Sequence, residues 1–159
     1  MAAKASIQDI TDAGFKAAQF GTPADWETAD TGYLARILSP ASIWAEAQFG
    51  SGYAAATLAD APATFERLRQ AELCYVRAEL WKRRAAFIDA NAVSSLENLA
   101  HSDRREFEAQ AARAWQCAED WMAQAKGDGA ATPGSAGVLT YAETGPYAST
   151  PAVPGATSW

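Results

Sequence analysis

Few residues in this 159-residue chain are of types that do covalent, metal or acid–base chemistry near neutral pH. There is one histidine, His101, and there are two cysteines, Cys74 and Cys117. A thiol–imidazole nucleophile needs the two groups within hydrogen-bond reach, and nothing local brings either cysteine to His101. One imidazole and two separated thiols are not a metal-ligand cluster of the usual spacing. His101, in the polar run His101-Ser102-Asp103, reads as a solvated surface residue. Both cysteines fall in helical patterns and read as small buried hydrophobes rather than as a disulfide. No G-x-x-x-x-G-K-[ST], G-x-G-x-x-G or G-x-S-x-G pattern occurs, and Gly50-Ser51-Gly52 is too short to cradle a phosphate. Glu72 with Glu79 is a carboxylate pair on one helix face at i, i+7, and Glu106, Glu108, Glu119 and Asp120 are further helix acids. They read as solvated, salt-bridged helix faces rather than as acid–base pairs. The expectation is a non-enzymatic protein with no catalytic residue, no cofactor and no metal.

The remaining candidates are for binding. Arg77 and Arg84 stand seven residues apart and share a helix face that projects into an apolar arc, with Glu66 near them. In one reading their stems lie along the hydrophobic surface and their heads reach water. In the other they form ion pairs across a subunit interface, where arginine is enriched. The run Lys82-Arg83-Arg84 reads as a solvated face. Trp44, Trp81, Trp115 and Trp121 sit at core spacing. Trp26, Tyr141, Tyr147 and Trp159 lie outside the strong helices and are the aromatic candidates for contacts with partners.

These residues must be held by helices. Ser6 is a plausible N-cap for a short helix over 7–20, weakened at Gly14 and ended by Gly21-Thr22-Pro23. From about Asp30 to Phe49, Leu34, Ile37, Leu38, Ala41, Trp44, Ala45 and Gln48 recur at helical spacing. Pro40 either kinks one helix or opens a second; the stripe continues in phase across it, which favours one. Residues 51–61 read as a loop. The strongest helix, 63–89, carries Leu68, Ala71, Cys74, Ala78, Trp81, Ala85 and Ile88 on one side and Leu73, Val76, Leu80 and Phe87 on a second seam. So wide an apolar arc must touch neighbours on two sides, which makes this the central helix. A fourth helical stretch spans about Leu96 to Lys126. Its start is open between Ser94 and Asp103, so 90–101 is either loop or helix.

The fold class that follows is all-α: a small bundle of about four helices over residues 1–126. An extended Gly/Pro-rich C-terminal arm follows over 127–159, where six Gly and four Pro accumulate. Hydrophobic residues make up 49% of the chain, enough for a core, and 39 alanines favour helices packed at close range. The net charge of −6 argues against a nucleic-acid-gripping surface. No run of about 18 apolar residues predicts a membrane span, and Met1–Ile10 lacks the apolar stretch of a secretory signal.

The arrangement resembles the head–tail connector (adaptor) proteins of tailed bacteriophages and gene-transfer particles. The residues that carry the resemblance are Thr31-Gly32-Tyr33-Leu34-Ala35-Arg36-Ile37-Leu38 and the Leu68–Arg84 stretch, LRQAELCYVRAELWKRR. The resemblance implies a structural virion protein, made in the host cytoplasm and placed in the neck between head and tail. It implies a ring, most often of twelve copies, that binds the portal protein and further neck or tail proteins, with the arm gripping the portal or a neighbouring subunit. Packaged DNA would pass through the channel without specific binding. The competing reading is a small bacterial binding or regulatory module without catalysis, with a pocket near Trp44 and Trp81.

Overall fold

In the computed structural model, residues 3–91 and 97–129 are described, with side chains from 3 to 87 and from 104 to 127. Among them the regular structure is all helical, joined by turns, with no strand. Helix α1 is Ile7–Asp12, followed by a 3-10 helix at Ala17–Phe20; α2 is Ala35–Phe49, α3 Gly52–Ala55, α4 Pro62–Asn91 and α5 Glu97–Gly129. The all-α bundle with a long central helix is therefore present. The arm was expected from 127, but α5 continues through Gly129; residues 130–159, with Tyr141, Tyr147 and Trp159, lie outside the described residues.

Helix α4 is the spine, and both of its apolar seams are used. Leu73, Val76 and Leu80 enter a core with Ile10, Phe15, Phe20, Trp26, Leu34, Ile37 and Ala41 from the N-terminal half. Leu68 and Ala71 enter a second core with Ala45, Tyr53, Ala56, Met122 and Ala125. Helix α5 runs back along α4, and alanines at 71, 78, 85, 111, 118 and 125 are all buried, so the helices approach closely. Each buried large apolar side chain here contributes about 1.5–3 kcal/mol of transfer free energy.

The expected helix over 7–20 is broken in two. Ser6 caps α1 through a reciprocal capping box with Asp9, but Gly14 adopts φ +90° and the chain turns before the 3-10 helix. The second helix starts at Ala35 rather than Asp30, because residues 25–34 close on themselves. The N–H of Tyr33 donates to Asp25 O and that of Leu34 to Trp26 O, at 2.9 and 3.2 Å. Any Cβ on Gly32 would collide with the backbone of Asp25 and Thr28, so only glycine fits that turn. One helix then runs through Pro40, as the in-phase stripe predicts.

Residues 52–55 form a helical turn where a loop was expected, because Tyr53 is driven inside and orders the segment around it. Within the range the sequence leaves open for its start, Ser94 to Asp103, α5 begins at Glu97, so His101 lies within the helix and not in a turn. The two cysteines are joined as a disulfide between α4 and α5, with Cα atoms 5.8 Å apart. That corrects the expectation of two separate thiols. The antiparallel register of the two helices, which periodicity alone does not reveal, sets Cys74 level with Cys117.

Candidate functional site

Glu72, read from sequence as part of a solvated acidic face, is instead fully buried. One carboxylate oxygen accepts the backbone N–H groups of Lys4 and Ala5 at 2.7 and 2.9 Å. The other accepts the Tyr53 hydroxyl. Burial pushes the Glu72 carboxyl up, and the hydrogen bonds from Tyr53, Ala5 and Lys4 oppose it. Burial first, and then the Glu72 hydrogen bond, also pushes the Tyr53 phenol up. The Lys4 ammonium reaches Ala56 O at 2.6 Å and lies 4.7 Å from the centre of the Tyr53 ring. This network straps the N-terminal segment to α4. Both carboxylate oxygens are engaged by the chain's own donors, which suits a structural role better than a catalytic one.

A second anchor is ionic. Arg69 of α4 forks onto Asp9 of α1, at 2.5 and 3.2 Å, and onto Glu66 at 2.9–3.0 Å. The Arg69 hydrogen bond holds the Asp9 carboxyl at about 2, well below the usual carboxylate range. Glu66, expected near Arg77 and Arg84, is thus committed to Arg69 and to Gln70.

The basic residues of α4 fan out rather than converge. Lys82 pairs with Glu79 at 2.8 Å, the Arg83 guanidinium lies 5.3 Å from the Tyr33 ring, and the Arg84 guanidinium lies 4.6 Å from the Phe107 ring. Arg84 also covers Trp81, which stacks on Phe107 at 5.4 Å. Its guanidinium therefore lies against both rings at one end of the helical hairpin. Arg77 is half-buried on the same helix and forms no ion pair with the described acids. The three neighbouring cations do not make a phosphate-binding stripe.

Trp26, expected to be available to partners, is buried between Phe20 and Tyr33, at 5.2 Å from each ring centre. Its turn folds back onto the core, which segment-level patterning does not show. Among the described residues, no group of three His, Cys, Asp or Glu side chains is placed to hold a metal ion. No described helix is long and apolar enough to cross a membrane.

Among the described residues, one flank of α5 is open; a separate hollow of about 420 Å³ lies between the N-terminal segment and α2, beside Ile7, Asp30 and Leu38. Trp44, Tyr75 and Trp115 meet with ring centres 5.3–5.7 Å apart where α2, α4 and α5 join, so the rings fill one another's space. Below them a cavity of about 310 Å³ is lined by Trp44, Gln48, Trp115, Glu119, Met122 and Lys126, among others. Above them a second hollow, about 420 Å³, is walled by Lys82, Glu108, Ala111, Ala112 and Trp115. A third continues past Ala85 and Ala86 to Arg104. Shared walls make these one shallow groove with an alanine floor, from Lys126 to Arg104, about 33 Å along the helix. Trp81 does not line it. Sequence reasoning placed Trp44 and Trp115 in the core; their partial exposure on the groove was the part it missed, and only Ala112 beside Trp115 hinted at it.

Comparison with family models, with curated protein sequences and with solved structures returns no match.

Proposed function

We propose that this chain is a structural subunit that works by being gripped: a head–tail connector that binds the portal as an oligomeric ring and joins head to tail. The observation that carries the reading is the uncovered groove along α5, on a bundle whose buried carboxylate is engaged internally. A rigid two-helix spine with an apolar, tryptophan-bearing flank suits a protein that must be held by another chain. The likeness of the Thr31–Leu38 and Leu68–Arg84 segments to connectors supplies the finer assignment of partner, ring and virion location. In that assignment residues 130–159 are the arm, with Tyr141, Tyr147 and Trp159 as its anchors. Arg77 and Arg84 stay on the body.

The experiment is reconstitution. Full-length protein, mixed with portal rings, should co-sediment with them and appear as a collar in electron micrographs. A chain ended after Gly129 should keep its helical circular dichroism and lose co-sedimentation. Equal binding by both chains would end the arm assignment, and binding by neither would end the connector reading. The competing binding-module reading draws on the cavity beside Trp44, whose volume lies at the lower limit for small-ligand sites. It requires a free chain that never forms rings on a portal.

A further inference from the structure

The open face of α5 is a seam with a defined spacing. Glu108, Ala112, Trp115, Glu119, Met122 and Lys126 follow one another at intervals of 4, 3, 4, 3 and 4 residues, the spacing of the contact positions of a coiled coil. Four of them, Glu108, Ala112, Glu119 and Lys126, are exposed, and Trp115 is half-exposed. Met122 forms part of the floor.

This seam is symmetric about the level of residue 117. If a second α5 lies antiparallel across it, position 108 meets 126, 112 meets 122, and 115 meets 119. The charges match across the pair. Glu108 faces Lys126, and Ala112 passes over the level of Met122, whose side chain is buried in its own core and leaves a flat floor there. Glu119 faces the Trp115 level, where the Lys82 ammonium stands 5.7 Å from the indole ring. Each contact occurs twice, so two Glu108–Lys126 and two Lys82–Glu119 attractions form between copies. Moving the register by one heptad toward the N-terminus sets Glu108 against Glu119. Moving it one heptad the other way leaves Trp115 against Lys126 with no Glu–Lys pair. The charges therefore select one register. Within one copy, partners of these groups lie on the surface: Arg104 for Glu108, the Trp115 indole N–H for Glu119, the Gln48 side chain for Lys126, and Glu79 for Lys82. Such exposed contacts exchange readily, since each is worth little on its own.

We infer that the occupant of the groove in the free protein is a second copy of this chain, held in an isologous antiparallel pair through α5. The pairing stands apart from the connector assignment: it concerns the protein alone, before any partner is met. It covers Trp44 and Trp115 until a partner competes for them.

The test is the mass of the full-length chain in solution at low salt, by light scattering on a sizing column. The wild type should run at twice the 16.9 kDa of one chain. Glu108→Lys and Lys126→Glu should each halve that mass, and the Glu108→Lys/Lys126→Glu double variant should restore it. Ala112→Arg, at an exposed position away from the chain's own core, should also give the single-chain mass with an unchanged circular dichroism spectrum. A wild type at 16.9 kDa up to about 100 μM would overturn the pairing. So would a larger oligomer, or a dimer indifferent to the single charge reversals, which would mean that residues 130–159 or another face hold the copies together. These results read the free protein alone; portal binding is read separately by co-sedimentation, so either can fail without the other.

Discussion

Asp9 is the cleanest place to ask what fastens the N-terminal half to the spine. Its carboxylate has two tasks: it closes the capping box with Ser6, and it takes the fork of Arg69. Replacing it by Asn keeps an amide oxygen for the Ser6 N–H and removes the charge that Arg69 needs. The carboxyl moves from 3.8 to about 2 on folding, and Arg69 is the first cause. A tenfold change in acidity corresponds to about 1.4 kcal/mol, so the ionised form holds about 2 kcal/mol of stability. The Asp9 side chain is 13% exposed, so solvent screening takes little of it. The sign follows from proton uptake. Between pH 2 and 3.8 the unfolded chain holds more protons at this site than the folded one, so its contribution is complete above the unfolded value. It is lost as pH falls through the folded one. Urea unfolding followed by circular dichroism, at about pH 7, 5, 3.5 and 2, should show Asp9→Asn less stable than wild type by about 2 kcal/mol at the two higher values. The gap should close toward the lowest. Taking the difference at each pH cancels the titration of groups outside this ion-pair network, such as Glu72, though not that of Glu66, which shares Arg69. A gap that is absent near neutrality, or that persists undiminished in the most acidic sample, would refute the argument.

Further outcomes follow from the same geometry. The Cys74–Cys117 bond closes a loop spanning 43 residues. By chain entropy it is worth about 4 kcal/mol, so Cys117→Ser, or reduction of the wild type, should lower the urea midpoint by on the order of 2 M; equal midpoints would mean that the bond constrains nothing. Tyr53→Phe strips a donor from the buried Glu72 carboxylate and should cost about 1–3 kcal/mol at neutral pH. Because the Glu72 carboxyl already titrates above its unfolded value, the folded chain holds the extra proton. Stability from this site therefore falls as pH rises from 4.5 through the folded value, and Tyr53→Phe should steepen that fall. Gly32→Ala drives a methyl into the backbone of Asp25 and Thr28 and should cost about 3 kcal/mol in the same assay. Gly21→Ala, where φ is +78° and the flexible Phe87 ring is the neighbour, should cost about 1–2 kcal/mol.

What the sequence made legible was periodic. Leu68, Ala71, Leu73, Val76 and Leu80 declare two seams at 100° per residue, and the structure uses each in a different core. Pro40 was readable for the same reason: Ala41 and Ala45 continue the phase set by Leu34 and Ile37 across it, and all four are buried. What was not legible depends on the level at which two distant segments meet. Cys74 and Cys117 read as separate thiols because their pairing requires the axial register of α4 against α5. Glu72 read as solvated because the donors that satisfy it, Lys4 N, Ala5 N and the Tyr53 hydroxyl, come from segments with no helical period to announce them. Trp26 read as available for the same reason, since a turn closed around Gly32 delivers it to Phe20 and Tyr33.

The same distinction bears on where this protein meets other molecules. A helix shows in its own sequence which side is apolar, but not which part of that side its own chain will cover. On α5, Phe107, Ala111, Ala118 and Ala125 turn inward at one phase, while Glu108, Ala112, Trp115 and Glu119 follow about 80–100° away. That second phase mixes one indole with two acids and, at its end, Lys126, which reads from sequence as ordinary surface. It becomes a candidate seam only once α2 and α4 are seen to stop short of it, leaving Trp44 and Trp115 half-exposed over an alanine floor. The charges then acquire a meaning that they lack singly, because Glu108 and Lys126 are equidistant from residue 117 and opposite in sign. Reversing the two together restores the attraction that each single reversal removes, so the double variant is a sharper probe of the pairing than removing either charge.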